Sequence, residues 1–250
     1  DQNYNSQYSY IAKVGYPMGM MYGFIYEGTY KYEDFDKVGD TYTLKRNVPY
    51  FSSESNTQPG MPKYADLNGD GIIDDNDRTM IGNGMPKHTG GFTNNFEYKG
   101  FDLSIFFQWS YGNDVLNANR LFFENSNKTR DLNQYASYAD RWTPENPESN
   151  IPRATDSGSN KVFSTRIIED GSFLRLKTVS LGYTLPKQLT KKWKIDNARV
   201  FVAGQNLWTC TGYSGYDPEV SIREGALTPG LDFSAYPRAY SISFGINLGF

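Results

Sequence analysis

Residues 239–250 read A-Y-S-I-S-F-G-I-N-L-G-F, and their alternation decides the fold. From Tyr240 onward every even position is large and apolar: Tyr240, Ile242, Phe244, Ile246, Leu248 and Phe250. The odd positions, Ser241, Ser243, Gly245, Asn247 and Gly249, are small or polar. Successive side chains of a strand point to opposite faces, so this pattern makes one apolar and one polar face. A helix would need a period near 3.6, which is absent. Such a strand at the edge of a soluble sheet would be an aggregation hazard. A strand of about 9–11 residues is what crosses the hydrocarbon core in a membrane β-barrel. The expectation is that Ile242, Phe244, Ile246 and Leu248 face lipid.

The same alternation recurs upstream. In F-D-L-S-I-F-F-Q-W-S-Y, Phe101, Leu103, Ile105, Phe107, Trp109 and Tyr111 share one face, and Asp102, Ser104, Gln108 and Ser110 the other. Phe106 is the one apolar intruder. The first four of that apolar set are expected to meet lipid, with aromatics at both ends of the face. Residues 90–98 put Phe92, Phe96 and Tyr98 together, and Lys99-Gly100 makes a tight turn. Residues 172–185 alternate through Val179, Leu181, Tyr183 and Leu185, with a phase change near Arg175-Leu176 that marks a bulge or the membrane edge. Residues 198–208 alternate more weakly. Five antiparallel strands are therefore expected, at 90–98, 101–111, 172–185, 198–208 and 239–250. The short connectors near Lys99 and Lys187 fall at one end, and the long stretches 11–89, 112–170 and 209–236 at the other. That is the layout of an outer-membrane barrel with short periplasmic turns, long extracellular loops and a periplasmic C-terminus.

Composition agrees. Hydrophobic residues make up only 38%, while 20 Tyr and 16 Phe raise the aromatic share to 16%. A barrel wall needs apolar residues only at alternate positions and is girdled by aromatics. A net charge of -3 leaves no basic footprint for nucleic acid. Cys210, the single cysteine, excludes an internal disulfide framework and a multi-thiolate metal site. No apolar run reaches the ~18 residues of a membrane helix. No leader-like segment opens the chain, so an exported protein would have lost it or begun further upstream.

The long stretches carry three candidate features. Residues 11–62, punctuated by Gly15, Gly19, Gly23, Gly28 and Pro17, read as a compact aromatic surface loop or as a contact surface for a partner. Residues 66–77, D-L-N-G-D-G-I-I-D-D-N-D, place oxygen side chains at positions 1, 3, 5, 9 and 12: Asp66, Asn68, Asp70, Asp74 and Asp77. Gly71 stands at position 6 and Ile73 at position 8. This is the spacing of an EF-hand calcium loop with Asp in the last place, and the carbonyl of Ile72 would add a ligand. No amphipathic helix precedes it, so two readings stand: a lone calcium loop, or a loop closed by its own Asx turns. Tyr213, Tyr216 and Tyr236 offer rings for stacking on a sugar or a partner, or they simply pack. His88 reads as a loop residue before a strand. Acidic pairs such as Asp74/Asp75 suit cation ligation better than a glycosidase dyad, and no nucleophile, phosphate-loop or zinc motif appears. An enzyme is not expected.

Taken together, D-L-N-G-D-G-I-I-D-D-N-D-R-T at 66–79, I-G-N at 81–83, G-G-F at 90–92 and Y-K-G-F-D-L-S-I-F-F-Q at 98–108 resemble the C-terminal region of SusC/RagA-type TonB-dependent outer-membrane transporters of Bacteroidetes. V-G-Y-P-M-G at 14–19, R-L-K at 175–177, L-G-Y at 181–183 and G-Q-N-L at 204–207 carry the resemblance along the chain. It implies an all-β fold: the last strands and extracellular loops of a transmembrane β-barrel of about 22 strands. It also implies an N-terminal plug, a SusD-like lipoprotein over the extracellular mouth, and import of glycan oligomers or peptides energised by TonB. Phe250 would be the residue read by the barrel-assembly machinery. Five strands cannot close a membrane barrel, for which about eight is the floor, so the plug and the remaining strands are expected in a larger molecule. The competing reading is a soluble, calcium-stabilised adhesin or carbohydrate-binding β-module.

Overall fold

A computed structural model of the chain describes residues 2–4, 9–125, 133–155, 162–219, 221, 225 and 227–250. The chain divides into two compact units, one of residues 86–113, 170–220 and 236–250, the other of residues 1–85, 114–169 and 221–235.

The first unit is a five-stranded antiparallel sheet in simple chain order. Its strands are β1 His88–Tyr98, β2 Phe101–Tyr111, β3 Phe173–Thr184, β4 Asn197–Thr211 and β5 Ser241–Gly249. Each starts or ends within three residues of its expected bound. β1 and β2 pair without interruption from His88↔Tyr111 to Tyr98↔Phe101. Lys99 and Gly100 close that hairpin, both at positive φ, as the tight turn requires. The phase change of β3 is a bulge at Lys177: Phe106 pairs Thr178 and Phe107 pairs Leu176. On the other side, Thr178 pairs Gln205 and Leu176 pairs Trp208, with Asn206 at φ 51.

The second unit carries short paired strands within the stretches read as long loops. Tyr10–Ala12, Met20–Gly23 and Thr79–Asn83 form an antiparallel sheet with Gln2–Tyr4 at its edge. Tyr26–Thr29 pairs Pro62–Tyr64, Phe35–Val38 pairs Thr41–Leu44, and Tyr50–Phe51 runs parallel to Ile72–Ile73. Residues 112–170 include a strand at Asp114–Asn117, parallel to Leu231–Asp232, and a helical turn at Asn119–Phe123. A 3-10 turn follows at Ala136–Asp140. The Tyr4 and Tyr8 side chains lie outside the described residues.

Several small cores replace one large one. Tyr10, Met21, Leu116, Ala118, Leu121, Ile167 and Leu231 form the first. Phe24, Tyr64 and Ile73 form the second, with Phe51 set edge-on to Phe24 at 5.5 Å. Tyr30, Phe35 and Leu44 form the third. The glycines and prolines that interrupt residues 11–62 prevent long strands, so short pairs of two to five residues pack through their aromatics instead.

Gly60 shows how tightly this is built. It sits at φ +81, and a Cβ there would collide with the indole of buried Trp142. Its carbonyl accepts from the Arg153 N–H at 2.8 Å. Gly60→Ala therefore combines backbone strain with overpacking, and should destabilise this unit by about 2–3 kcal/mol. Limited proteolysis of the intact protein should show faster cleavage within residues 20–70 and unchanged protection of the five strands.

Candidate functional site

The pairing register sets the apolar residues of the sheet into rows. One row runs Phe96, Leu103, Leu181, Val202, Phe244 across all five strands. The next runs Tyr98, Phe101, Tyr183, Val200, Ile246. Toward the other end, Ile105, Val179, Gly204 and Ile242 align, then Phe92, Phe107, Leu176 and Trp208. Phe244 is 81% exposed, and Phe101, Ile242, Ile246, Leu248 and Phe250 are exposed beside it. Leu103, Ile105 and Phe107 are half-buried by their cross-strand neighbours. Rings close both ends of the face, with Phe101 against Tyr183 at 4.5 Å on one side and Trp109 and Trp208 on the other. A contiguous exposed apolar face marks an interaction surface.

The opposite face is polar and holds two ionic clusters that the sequence reading missed. The Arg199 guanidinium on β4 crosses over Gly182 of β3 to the Asp102 carboxylate on β2, with Nε donating to Oδ1 at 2.8 Å. Any side chain at Gly182 would occupy the space this pair uses. Higher on β3, Arg175 is 2% exposed and Asp217 4%. Arg175 Nη2 donates to Asp217 Oδ1 at 2.5 Å, and Nη1 donates to Glu219 Oε2 at 3.1 Å. Arg238 Nε lies 3.0 Å from Glu219 Oε2, and Lys177 Nζ lies 3.7 Å from it. Burial by itself raises the Asp217 carboxyl. The Glu219 N–H, the Arg175 side chain and the Arg238 N–H outweigh it and hold the group below the ordinary carboxylate range. These bonds lash the chain after β4 to the polar side of the sheet. The available clue was a charged residue at a phase change, Arg175, followed some forty residues later by an acidic pair, Asp217 and Glu219.

The acidic loop closes on itself. Asp66 accepts from the N–H of Gly69 and of Gly71, Asn68 from Asp70, Asp70 from Ile72, and Asp74 from Asn76. Asp77 is buried and accepts from Leu67 at 2.8 Å, Asn68 at 3.3 Å and Asp74 at 2.9 Å. Those donors hold its carboxyl below the ordinary range, although burial pulls the other way. Ile73 anchors the loop in the second core. Among the described residues no three His, Cys, Asp or Glu side chains are gathered as metal ligands. The oxygens at Asp66, Asn68, Asp70, Asp74 and Asp77 all accept from backbone donors, as the Asx-turn reading expects. In the same unit a cavity of about 550 Å³ is lined by Phe24, Phe51, Ile73, Arg78, Leu121 and Phe122 among others.

Of the three tyrosines, Tyr216 and Tyr236 are exposed, whereas Tyr213 is buried and packs over Gly215. Tyr213 is therefore a packing residue and not an open ring. His88 belongs to β1 and not to the loop before it; it stacks on Tyr111 at 5.1 Å, and its Nδ1 accepts from Trp109 Nε1 at 3.1 Å.

No protein-family model matches the chain. It is 34% identical over 247 residues to TonB-dependent receptor P3 of Formosa agariphila, covering 96% of the chain and 23% of that protein. It is 39% identical over 197 residues to TonB-dependent receptor P26 of the same organism, covering 76% of the chain and 20% of that protein. TonB-dependent receptor SusC of Bacteroides thetaiotaomicron is 28% identical over 79% of the chain. The structure of the RagAB peptide transporter superposes with a TM-score of 0.72 and 26% identity, covering 97% of this chain and 24% of the other. The chain thus spans about a quarter or less of the length of the proteins it matches.

Two measurements on the parent protein test the polar clusters. Arg175→Met leaves Asp217 buried without its guanidinium and should cost about 3–5 kcal/mol in thermal unfolding, with part recovered when Asp217→Asn is added. The second is acid. Asp77 and Asp217 have depressed folded-state values, so their stabilisation is complete above the unfolded carboxylate value near pH ~4 and is lost as pH falls through the folded values. The melting temperature should be flat from pH 5 to 7 and drop below pH 4, and Asp77→Asn should make that drop shallower.

Proposed function

Because the chain belongs to the TonB-dependent receptors of the SusC/RagA type, we propose that it is the closing part of the barrel wall of an outer-membrane nutrient importer, with loops that line its extracellular mouth. The observation that carries this reading is the five-stranded sheet with one continuous apolar face and one polar, ion-paired face. The apolar face meets lipid and the polar face lines the lumen. The long excursions leave the sheet at Tyr111 and Thr211 and return at Phe173 and Ser241, all at one end. That end is extracellular, and Phe250 at the other end is periplasmic and available to the assembly machinery.

The cargo is an oligomer, a peptide or a glycan. The RagAB neighbour, named for peptide transport, supports the first; exposed Tyr216 and Tyr236 suit either. A SusD-like lipoprotein over the mouth, and TonB acting through a plug, complete the transporter. A soluble adhesin or carbohydrate-binding module would have to bury the face around Phe244 that this sheet leaves open. What supports calcium at residues 66–77 is the spacing of Asp66, Asn68, Asp70, Asp74 and Asp77 with the Ile72 carbonyl. Calorimetric titration of the metal-stripped parent protein with calcium decides it: binding heat lost in Asp70→Ala supports the ion, and no heat with an unchanged fold rejects it.

The wall reading is tested in the closing strand. Phe244→Lys puts a charge on the lipid face and should cost about 2–4 kcal/mol near the bilayer midplane, while Ser243→Lys on the polar face should cost little. Deleting Phe250 should also lower assembly. Surface labelling against total protein should show fewer barrels for Phe244→Lys and the deletion, and near-normal levels for Ser243→Lys. Equal levels for all three variants would exclude β5 as the lipid-facing closing strand. Uptake of labelled peptides against labelled glycans by cells carrying the intact receptor identifies the cargo.

A further inference from the structure

The connector from β3 to β4 has a composition unlike the rest of the sheet. Residues 186–195 read P-K-Q-L-T-K-K-W-K-I, with four lysines and no carboxylate. They form a helical turn at Lys187–Thr190 and a 3-10 turn at Lys191–Trp193, ended by Lys194 at φ 58. The connector has a fixed shape. The Leu189 N–H donates to the Pro186 carbonyl at 2.9 Å and the Ile195 N–H to the Thr190 carbonyl at 3.2 Å, and Thr190 is buried. Lys187, Lys191, Lys192 and Lys194 are all exposed, and among the described residues none of them is ion-paired. Between them stand Leu189, 48% exposed, and Trp193, 64% exposed.

In water this arrangement is doubly unfavourable. Four lysines fall within the stretch 187–194 with no carboxylate among them, and a large apolar ring lies open. A run of lysines alone would be an ordinary solvated surface; the leucine and tryptophan among them are what set this connector apart. A membrane surface relieves both costs. Indole rings settle at headgroup depth, lysine stems lie along apolar surface while their ammonium groups reach the phosphates, and anionic headgroups neutralise the charge. The connector is also continuous with the apolar face. It leaves β3 beyond Tyr183 and enters β4 before Val200, in the row that holds Tyr98 and Phe101.

We propose that residues 187–194 are a lipid-binding foot. In it Lys187, Lys191, Lys192 and Lys194 hold anionic phospholipid headgroups while Leu189 and Trp193 dip into the acyl boundary. This rests on the reading of the sheet as a barrel wall, under which the short connectors face the periplasmic, phospholipid leaflet. Its role is to fix the depth of the wall at that end.

The intact receptor that carries this chain is tested in two ways. Native mass spectrometry after reconstitution with equal phosphatidylglycerol and phosphatidylcholine should show about a fivefold or greater retention of phosphatidylglycerol. That preference should fall toward parity when all four lysines become glutamine. Separately, the fluorescence lost in Trp193→Ala should be the part of the wild-type signal quenched by phospholipid brominated high on the acyl chain. Parity in the wild-type protein overturns the proposal. So does a Trp193 signal quenched only by aqueous iodide, which would mean that the connector meets water or a soluble partner. Preferential retention of lipopolysaccharide overturns the choice of leaflet and ligand. Heat-modifiable migration and a requirement for detergent check the barrel itself. A receptor lacking both overturns the wall reading along with the foot, whereas one that keeps both and shows lipid parity overturns the foot alone.

Discussion

A strand in hydrocarbon has to give every backbone N–H and C=O to another strand, because no water is there to take them. This constraint orders the whole sheet. The three inner strands satisfy it on both sides, while β1 pairs only with β2 and β5 only with β4 in the five-stranded sheet. Each unsatisfied group in an apolar medium costs several kcal/mol. The outer edges of β1 and β5 therefore require further strands, and the quarter-length match to larger receptors supplies a place for them. With the backbone accounted for, side chains on one face are free to be almost wholly apolar.

The polar face meets a different constraint. Charges there are paired across strands and not along them: Arg199 reaches Asp102 past an intervening strand, and Arg175 gathers the segment holding Asp217 and Glu219. A buried ion pair adds little net stability, but breaking one is costly. Such pairs fix position more than they add stability, and here they fix the course of the chain after β4. The second unit has ion pairs of its own, with Arg120 and Arg166 both on buried Glu124, but no long ladders. Its short strands carry too few ladder hydrogen bonds to stand alone, and the clusters around Tyr10, Phe24 and Tyr30 hold them together.

The long strands were legible because period-two alternation is a local property, visible in F-D-L-S-I-F-F or S-I-S-F-G-I without reference to any partner. The bulge left its trace in the phase change near Arg175. Residues 11–89 were not legible as a folded unit, because their order comes from pairings such as Tyr50–Phe51 with Ile72–Ile73, and such pairings have no periodic signature. The acidic loop was legible as a motif and open as to its occupant. The spacing that sets oxygens around an ion also sets them on successive backbone N–H groups, so residues 66–77 carry both readings. The Arg175 cluster was hidden because its members are some forty residues apart in sequence.

The bulge at Lys177 has a consequence for how the chain can vary. Below it, even-numbered residues of β3, from Thr178 to Thr184, lie on the polar face; above it, odd-numbered Phe173 and Arg175 do. The extra residue reverses the count: if the same residues alternated strictly, with no bulge, Arg175 would lie on the face of Val179 and Leu181. Losing one residue between Arg175 and Thr178 would remove the bulge and keep Arg175 on the polar face, while losing two would turn the guanidinium toward lipid and leave Asp217 alone. Length in this strand is governed by parity: Arg175 and Thr178 stand an odd number of residues apart and share a side only because one residue between them is left out of the alternation.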